Sequence, residues 1–147
     1  MKQDDMTPSA FTRERLIRFS DCDPAGIVFY PQYFVMLNGL VEDWFNDALG
    51  IGYAAMVMER RIGVPTVRLE VDFQAVSRLG DRVELALQVD RLGGRSLTLA
   101  LACRGADGGL RMSMRQVLVT TSLATHRAVE IPSDIRAAIA RTANIVQ

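Results

Sequence analysis

Asp21 and Asp23 are separated by a single residue in the stretch Asp21-Cys22-Asp23-Pro24-Ala25-Gly26-Ile27-Val28-Phe29-Tyr30-Pro31-Gln32-Tyr33, and a helical pattern begins directly behind it. A carboxylate can act as a general base or as a nucleophile. The first turn of a helix leaves N–H groups without intrahelical partners, and these can hold negative charge developing on an oxygen. Asp-x-Asp-Pro is also ordinary turn chemistry, because Asp side chains bond nearby backbone N–H groups and Pro fixes one torsion. On these residues alone the structural turn is the favoured reading. Cys22 is a poor candidate nucleophile, since the flanking Asp21 and Asp23 disfavour its thiolate.

The elements that position this loop follow from periodicity. Residues 13–19 read as a first strand. A helix is expected to begin at Tyr30 or Pro31, since Pro suits the first helical position, and to run to Leu49. Leu37, Val41, Trp44, Phe45 and Ala48 fall on one stripe, with Asn38, Glu42, Asp43, Asn46 and Asp47 on the other side and Gly50 as the stop. Gly39 inside that helix costs about 1 kcal/mol relative to Ala, which close approach of another backbone would explain. A short second helix spans Tyr53 to Arg60.

Four strand-like runs come next. In 66–75 the residues Val67, Leu69, Val71, Phe73 and Ala75 alternate with polar neighbours. Gly80-Asp81 makes a turn, and 82–92 repeats the alternation. Gly93-Gly94 is a hairpin signal, leading into Leu97, Leu99, Leu101 and Cys103. Asp107-Gly108-Gly109 turns the chain into a last long strand from Leu110 to Thr121, apolar on parts of both faces. Pro132 opens a terminal helix, Ser133 to Thr142. A long helix followed by an antiparallel meander is an α+β pattern, one sheet with its apolar face laid on the helix.

The chain has 147 residues, a length expected to form one domain. Its 17 basic and 17 acidic residues cancel, which offers no bulk attraction to nucleic acid or to an anionic membrane surface. No apolar run approaches a membrane span. Residues 1–10 lack the apolar core of a signal peptide and read as a mobile tail, which points to the cytoplasm. Cys22 and Cys103 are then expected to be free thiols. One histidine and two distant cysteines give no metal-ligand spacing, and no phosphate loop or dinucleotide fingerprint is present, so neither metal nor cofactor is expected.

The run DCDPAGIVFYPQYF resembles the signature of the 4-hydroxybenzoyl-CoA thioesterase family of the hotdog fold, and weaker similarity extends from about Arg15 to Pro132. The resemblance implies an acyl-CoA thioesterase, acting on an acyl group that could be aromatic, with Asp23 as the catalytic carboxylate. It implies the backbone N–H of Tyr30 as the group polarising the thioester carbonyl. Gly26, Phe29, Tyr33 and Phe34 would line the substrate pocket together with Gly63 and Pro65, and some relatives carry His where Phe34 stands. Arg91, Arg95, Ser96 and Arg127 would bind coenzyme A, since arginine forks suit phosphate. Asp21 is assigned to shaping the loop. Hotdog dehydratases need a catalytic His paired with a carboxylate. His126, the only histidine, is remote from the motif and reads as a surface residue. Members pair into dimers through a continuous sheet, with sites at the dimer interface, and often form tetramers. A catalytically silent acyl-CoA-binding protein on the same fold is the alternative.

Overall fold

The computed structural model describes residues 10–143, so the expected mobile tail lies outside the described residues except for Ala10. Strand β1 covers Phe11–Leu16 and helix α1 covers Pro31–Asp43. Helix α1 continues as a π-helical segment, Trp44–Leu49, before helix α2 at Tyr53–Met58. Strands β2 (Ile62–Gly63), β3 (Thr66–Phe73), β4 (Arg82–Leu92), β5 (Ser96–Gly105), β6 (Leu110–Val119) and β7 (Thr121–Ser122) precede helix α3, Ser133–Thr142. Five strands form one antiparallel sheet in the order β1-β4-β5-β6-β3, and β2 pairs with β7.

The chain divides into two compact units, one from residues up to 41, 71–88 and 101–114, the other from 42–70, 89–100 and 115 onward. The first unit buries Tyr33, Met36, Leu37, Leu40 and Val41 of α1, together with the strand residues Val83, Leu85, Leu87, Leu101, Cys103, Met112 and Met114. The second buries Trp44, Phe45 and Leu49 of the π-helical segment with Met56, Leu97, Leu99, Leu118, Ile131, Ile135 and Ile139. The α+β class and the hotdog order of long helix and antiparallel sheet are as expected.

Local boundaries differ in instructive places. β1 starts and ends earlier than the expected 13–19. Its pairing with β4 stops at Leu16 opposite Arg82, where the Gly80-Asp81 turn begins, and Arg18 then donates its N–H to Asp21 Oδ2 at 2.9 Å. The wider π turn shifts the buried stripe by one residue, so Leu49 is buried and Ala48 only half-buried. Gly50 closes the turn at φ +69°, in the left-handed region. Gly39 has nothing within 4 Å of where a Cβ would sit, so no close backbone approach explains it. The strands are not a simple meander either. β3 pairs with β6 at the far edge, through Gln74 N–H to Arg111 O at 2.8 Å and Val119 N–H to Pro65 O at 3.1 Å. Its alternating apolar row stays largely exposed, Val67 at 61% and Phe73 at 51%, although the Phe73 ring meets Tyr33 of α1 at 6.2 Å.

Between β3 and β4 the segment 76–81 is held by Arg111 of β6. Its Nη1 donates to Val76 O at 3.0 Å, to Ser77 Oγ at 3.2 Å and to Asp81 Oδ2 at 3.0 Å. A Cβ at Gly105 would run into this guanidinium, so glycine there leaves the room the arginine occupies. The backbone N–H of Arg78 and the Arg111 guanidinium together hold the Asp81 carboxyl below its usual range.

That depression makes stability depend on pH with a defined sign. The contribution of Asp81 is fully present above its unfolded value, about 4, and is lost as pH falls through the lower folded value. Denaturant unfolding followed from about pH 5 to about pH 2.5 should show wild type losing stability more steeply than Asp81→Asn. Parallel slopes would show that Asp81 contributes nothing to acid sensitivity.

Candidate active site

The two carboxylates of the loop have different surroundings. Asp21 is buried, its Oδ1 accepting from Arg15 Nη2 and its Oδ2 from the Arg18 N–H, both at 2.9 Å. Its backbone carbonyl also accepts the Phe29 N–H at 2.9 Å. Every acceptor it has is committed to fixing the loop, as expected of a structural carboxylate. Asp23 is half-buried. One oxygen accepts the Ala25 N–H at 2.8 Å, and the other takes no hydrogen bond from the described residues. Burial, then the charges of Asp21 and Asp23, push the Cys22 thiol up, which leaves it protonated and unreactive.

The loop is a tight ribbon. Asp23 N–H donates to Ile27 O at 3.0 Å, and Gly26 N–H donates to Asp23 O at 2.9 Å. Gly26 adopts φ +77°, and no atom lies within 4 Å of a Cβ built there, so it is the torsion rather than crowding that calls for glycine. The ribbon ends at the start of α1. Tyr30 precedes Pro31 and brings no short side-chain acceptor to cap the helix. Its backbone N–H donates to no group among the described residues. The ring of Tyr30 meets Phe29 and Phe73 edge-on at 5.8 Å and Phe34 at 6.4 Å. Phe29 and Tyr30 are 48% and 57% exposed, whereas Tyr33 is buried and gives its hydroxyl to Ser77 Oγ at 2.8 Å.

Ser77 was not legible as part of this site. The Val28 N–H donates to Ser77 O and the Leu79 N–H to Gly26 O, each at 2.9 Å, so the segment Ser77–Leu79 lies beside the ribbon as a further strand. One signal could have found it. Ser77 continues the odd-numbered register of Val67 to Ala75, which placed a polar residue where the pattern asked for an apolar one.

The other expected site residues belong to the second unit. Gly63 is buried in β2, where a Cβ would approach Leu123 Cδ2 at 2.8 Å, and Pro65 is exposed just before β3. Arg91 and Arg127 are exposed, Ser96 is half-buried at the start of β5, and Arg95 Nε pairs with Glu130 Oε2 at 3.1 Å. Arg95 and Arg127 flank one stretch of backbone: Thr120 N–H donates to Arg95 O and Ser122 N–H to Arg127 O, both at 2.9 Å. Arg136, unremarkable in the sequence, pins the Gly93-Gly94 hairpin through both carbonyls, at 2.6 and 3.0 Å. His126 is exposed, as read from the sequence. Among the described residues no group of His, Cys, Asp and Glu could hold a metal ion, and no helix is long and apolar enough to cross a membrane.

Comparison with known proteins places the chain in a family. A 1,4-dihydroxy-2-naphthoyl-CoA hydrolase of Synechococcus elongatus is 36% identical over 81 residues, which are 54% of this chain and 59% of that protein. The 4-hydroxybenzoyl-CoA thioesterase of Pseudomonas sp. strain CBS-3 is 26% identical over 132 residues, 85% of this chain and 94% of that relative. The chain thus spans 59% of the length of the cyanobacterial relative and nearly all of the pseudomonad one. A solved structure of an asparagine-for-aspartate mutant of 4-hydroxybenzoyl-CoA thioesterase, complexed with 4-hydroxybenzoyl-CoA, superposes with a TM-score of 0.81 at 25% identity. That superposition covers 89% of this chain and 99% of the other. The profile of the Thioesterase-like superfamily matches residues 17–139, and with a long helix and a five-stranded antiparallel sheet in the hotdog order the chain belongs to that superfamily.

Proposed function

We propose that the chain is an acyl-CoA thioesterase in which Asp23 is the nucleophile or general base and the Tyr30 N–H polarises the thioester carbonyl. The observation that carries this reading is a carboxylate with one uncommitted oxygen and an uncommitted helix-start N–H on one short loop. A thioester carbonyl is electrophilic and its thiolate leaves easily, so hydrolysis needs only these two groups. In one route a carboxylate oxygen attacks, the C–S bond breaks, CoA leaves as thiolate, and water then hydrolyses the mixed anhydride. In the other, the carboxylate takes a proton from water as that water attacks. Both place negative charge on the carbonyl oxygen, where an N–H donor is most effective.

The exposed rings of Phe29 and Tyr30, with Phe34 alongside, suit a flat aromatic acyl group. The relatives named above act on 4-hydroxybenzoyl-CoA and 1,4-dihydroxy-2-naphthoyl-CoA, which favours an aroyl-CoA as substrate. Gly26, Tyr33, Gly63 and Pro65 are assigned to shaping the acyl pocket. The coenzyme A phosphates are assigned to Arg91, Arg95, Ser96 and Arg127. The Arg95–Glu130 pair is solvent-exposed, and exposed ion pairs are weak enough for a phosphate to displace the carboxylate. A silent acyl-CoA binder remains the second reading. It is favoured by the Ala25 N–H bond to Asp23 Oδ1, which is what a plain turn aspartate makes.

A homo-oligomer, a dimer or a tetramer built from two dimers, is the assembly that strand β3 favours. The sequence suggested the last long strand as the sticky element, but β6 lies inside the sheet, and it is edge strand β3 that carries a bare apolar row. An unpaired apolar edge is a liability unless another chain covers it.

Asp23→Asn keeps size and shape and loses the anion. Thiol release from an acyl-CoA panel should fall by at least about 10²-fold, or about 2.7 kcal/mol of transition-state stabilisation, with little change in substrate affinity. Near-full activity in a folded variant would sink the mechanism, and a wild type that binds acyl-CoA without hydrolysing it hands the case to the silent binder. Replacing Arg95 and Arg127 together should raise KM for the CoA thioester and leave a pantetheine thioester, which lacks the nucleotide, nearly unaffected. Equal losses on both would refute the phosphate assignment. Sedimentation should find no stable active monomer, and Leu69→Asp should shift wild-type oligomer toward monomer.

A further inference from the structure

The Asp23 ribbon leans on Ser77–Leu79, and Ser77–Leu79 is held from below. The cross-strand bonds are Val28 N–H to Ser77 O and Leu79 N–H to Gly26 O. Beneath them, one nitrogen of Arg111 reaches the carbonyl before Ser77, the Ser77 hydroxyl and the carboxylate of Asp81. Ser77 is 1% exposed, and its hydroxyl also takes the Tyr33 hydroxyl from the first turn of α1. The ribbon and the helix start therefore meet at Ser77, and Arg111 fixes Ser77. Its side chain is only 16% exposed.

We propose that Arg111 is a positioning residue for the candidate active site. It sets the register of Asp23 against the Tyr30 N–H through Ser77 and Asp81. This rests on the thioesterase reading of the loop. The charge matters because hydrogen bonds from an ionised donor to a carbonyl, a hydroxyl and above all a carboxylate are stronger than those from a neutral one. Displacing a reacting group by a fraction of an ångström to an ångström is enough to lower turnover strongly while binding surfaces elsewhere stay intact.

The test uses Arg111→Met, which keeps the stem, Arg111→Lys, which keeps the charge on a slightly shorter stem, and Ser77→Ala as a milder variant should the methionine fail to fold. Amide hydrogen exchange reads the Val28 and Leu79 N–H groups against those of Leu99 and Leu101 in the central strand β5. In Arg111→Met the Val28 and Leu79 amides should exchange at least about 10-fold faster relative to the β5 amides. Arg111→Lys should fall between methionine and wild type. On an acyl-CoA thioester that wild type hydrolyses, kcat should drop about 10-fold or more with KM within about twofold. Unchanged exchange at Val28 and Leu79 overturns the proposal, as does exchange that rises only in step with β5, or a lysine variant no better than methionine. Loosened loop amides with wild-type kcat overturn it as well. A wild type that hydrolyses no acyl-CoA defeats the thioesterase reading instead, and the exchange measurement still decides whether Arg111 anchors the loop.

Discussion

The ribbon from Asp21 to Phe29 is too short to satisfy its own backbone, and the candidate site depends on where it finds partners. Buried N–H and C=O groups left unpaired cost as much as a lost hydrogen bond, so the ribbon must lie beside another strand. That strand is Ser77–Leu79, a piece of loop with no sheet neighbour on its far side but with the Arg111 guanidinium beneath it. Gly105 makes the arrangement possible by leaving empty the volume its own Cβ would fill. The half-buried ion pair is well satisfied, because Asp81 also accepts the Arg78 N–H and the arginine also serves a carbonyl and a hydroxyl.

Within that frame two identical side chains separated by one residue acquire different surroundings. Asp21 is buried, with one oxygen on Arg15, the other on the Arg18 N–H, and its carbonyl holding Phe29, so both oxygens are engaged in the loop and shut off from solvent. Asp23 is turned outward far enough to keep one oxygen free. The helix start contributes by omission. Gln32 N–H is taken by Phe29 O and Tyr33 N–H by Tyr30 O, and the Tyr30 N–H itself donates to no group among the described residues, so it stays available to an outside acceptor.

The same logic explains the edge of the sheet. β3 supplies Phe73 to the aromatic group around Tyr30, while its Val67 and Leu69 are largely exposed. A strand built this way is complete only when something lies against it. The second copy proposed above is one way to cover that row.

The stretches whose structure depends on near neighbours could be read from sequence alone. The start of α1 at Pro31, its apolar stripe through Phe45, the hairpin at Gly93-Gly94, the Asp107-Gly108-Gly109 turn and α3 over Ser133–Thr142 all follow from residues within a turn or two of one another. The motif from Asp21 to Tyr33 was legible for the same reason, as a dense local pattern. Tertiary structure decided the rest. It placed β3 beside β6, ended β1 at Leu16, moved the buried stripe from Ala48 to Leu49, and gave Arg95 a carboxylate partner 35 residues away. It also joined Arg111 to Asp81 across 30 residues and Tyr33 to Ser77 across 44. Periodicity records which face of an element is apolar, but not which distant side chain will meet it. A lone arginine in a strand looks the same in sequence whether it ends in solvent or beneath a distant loop.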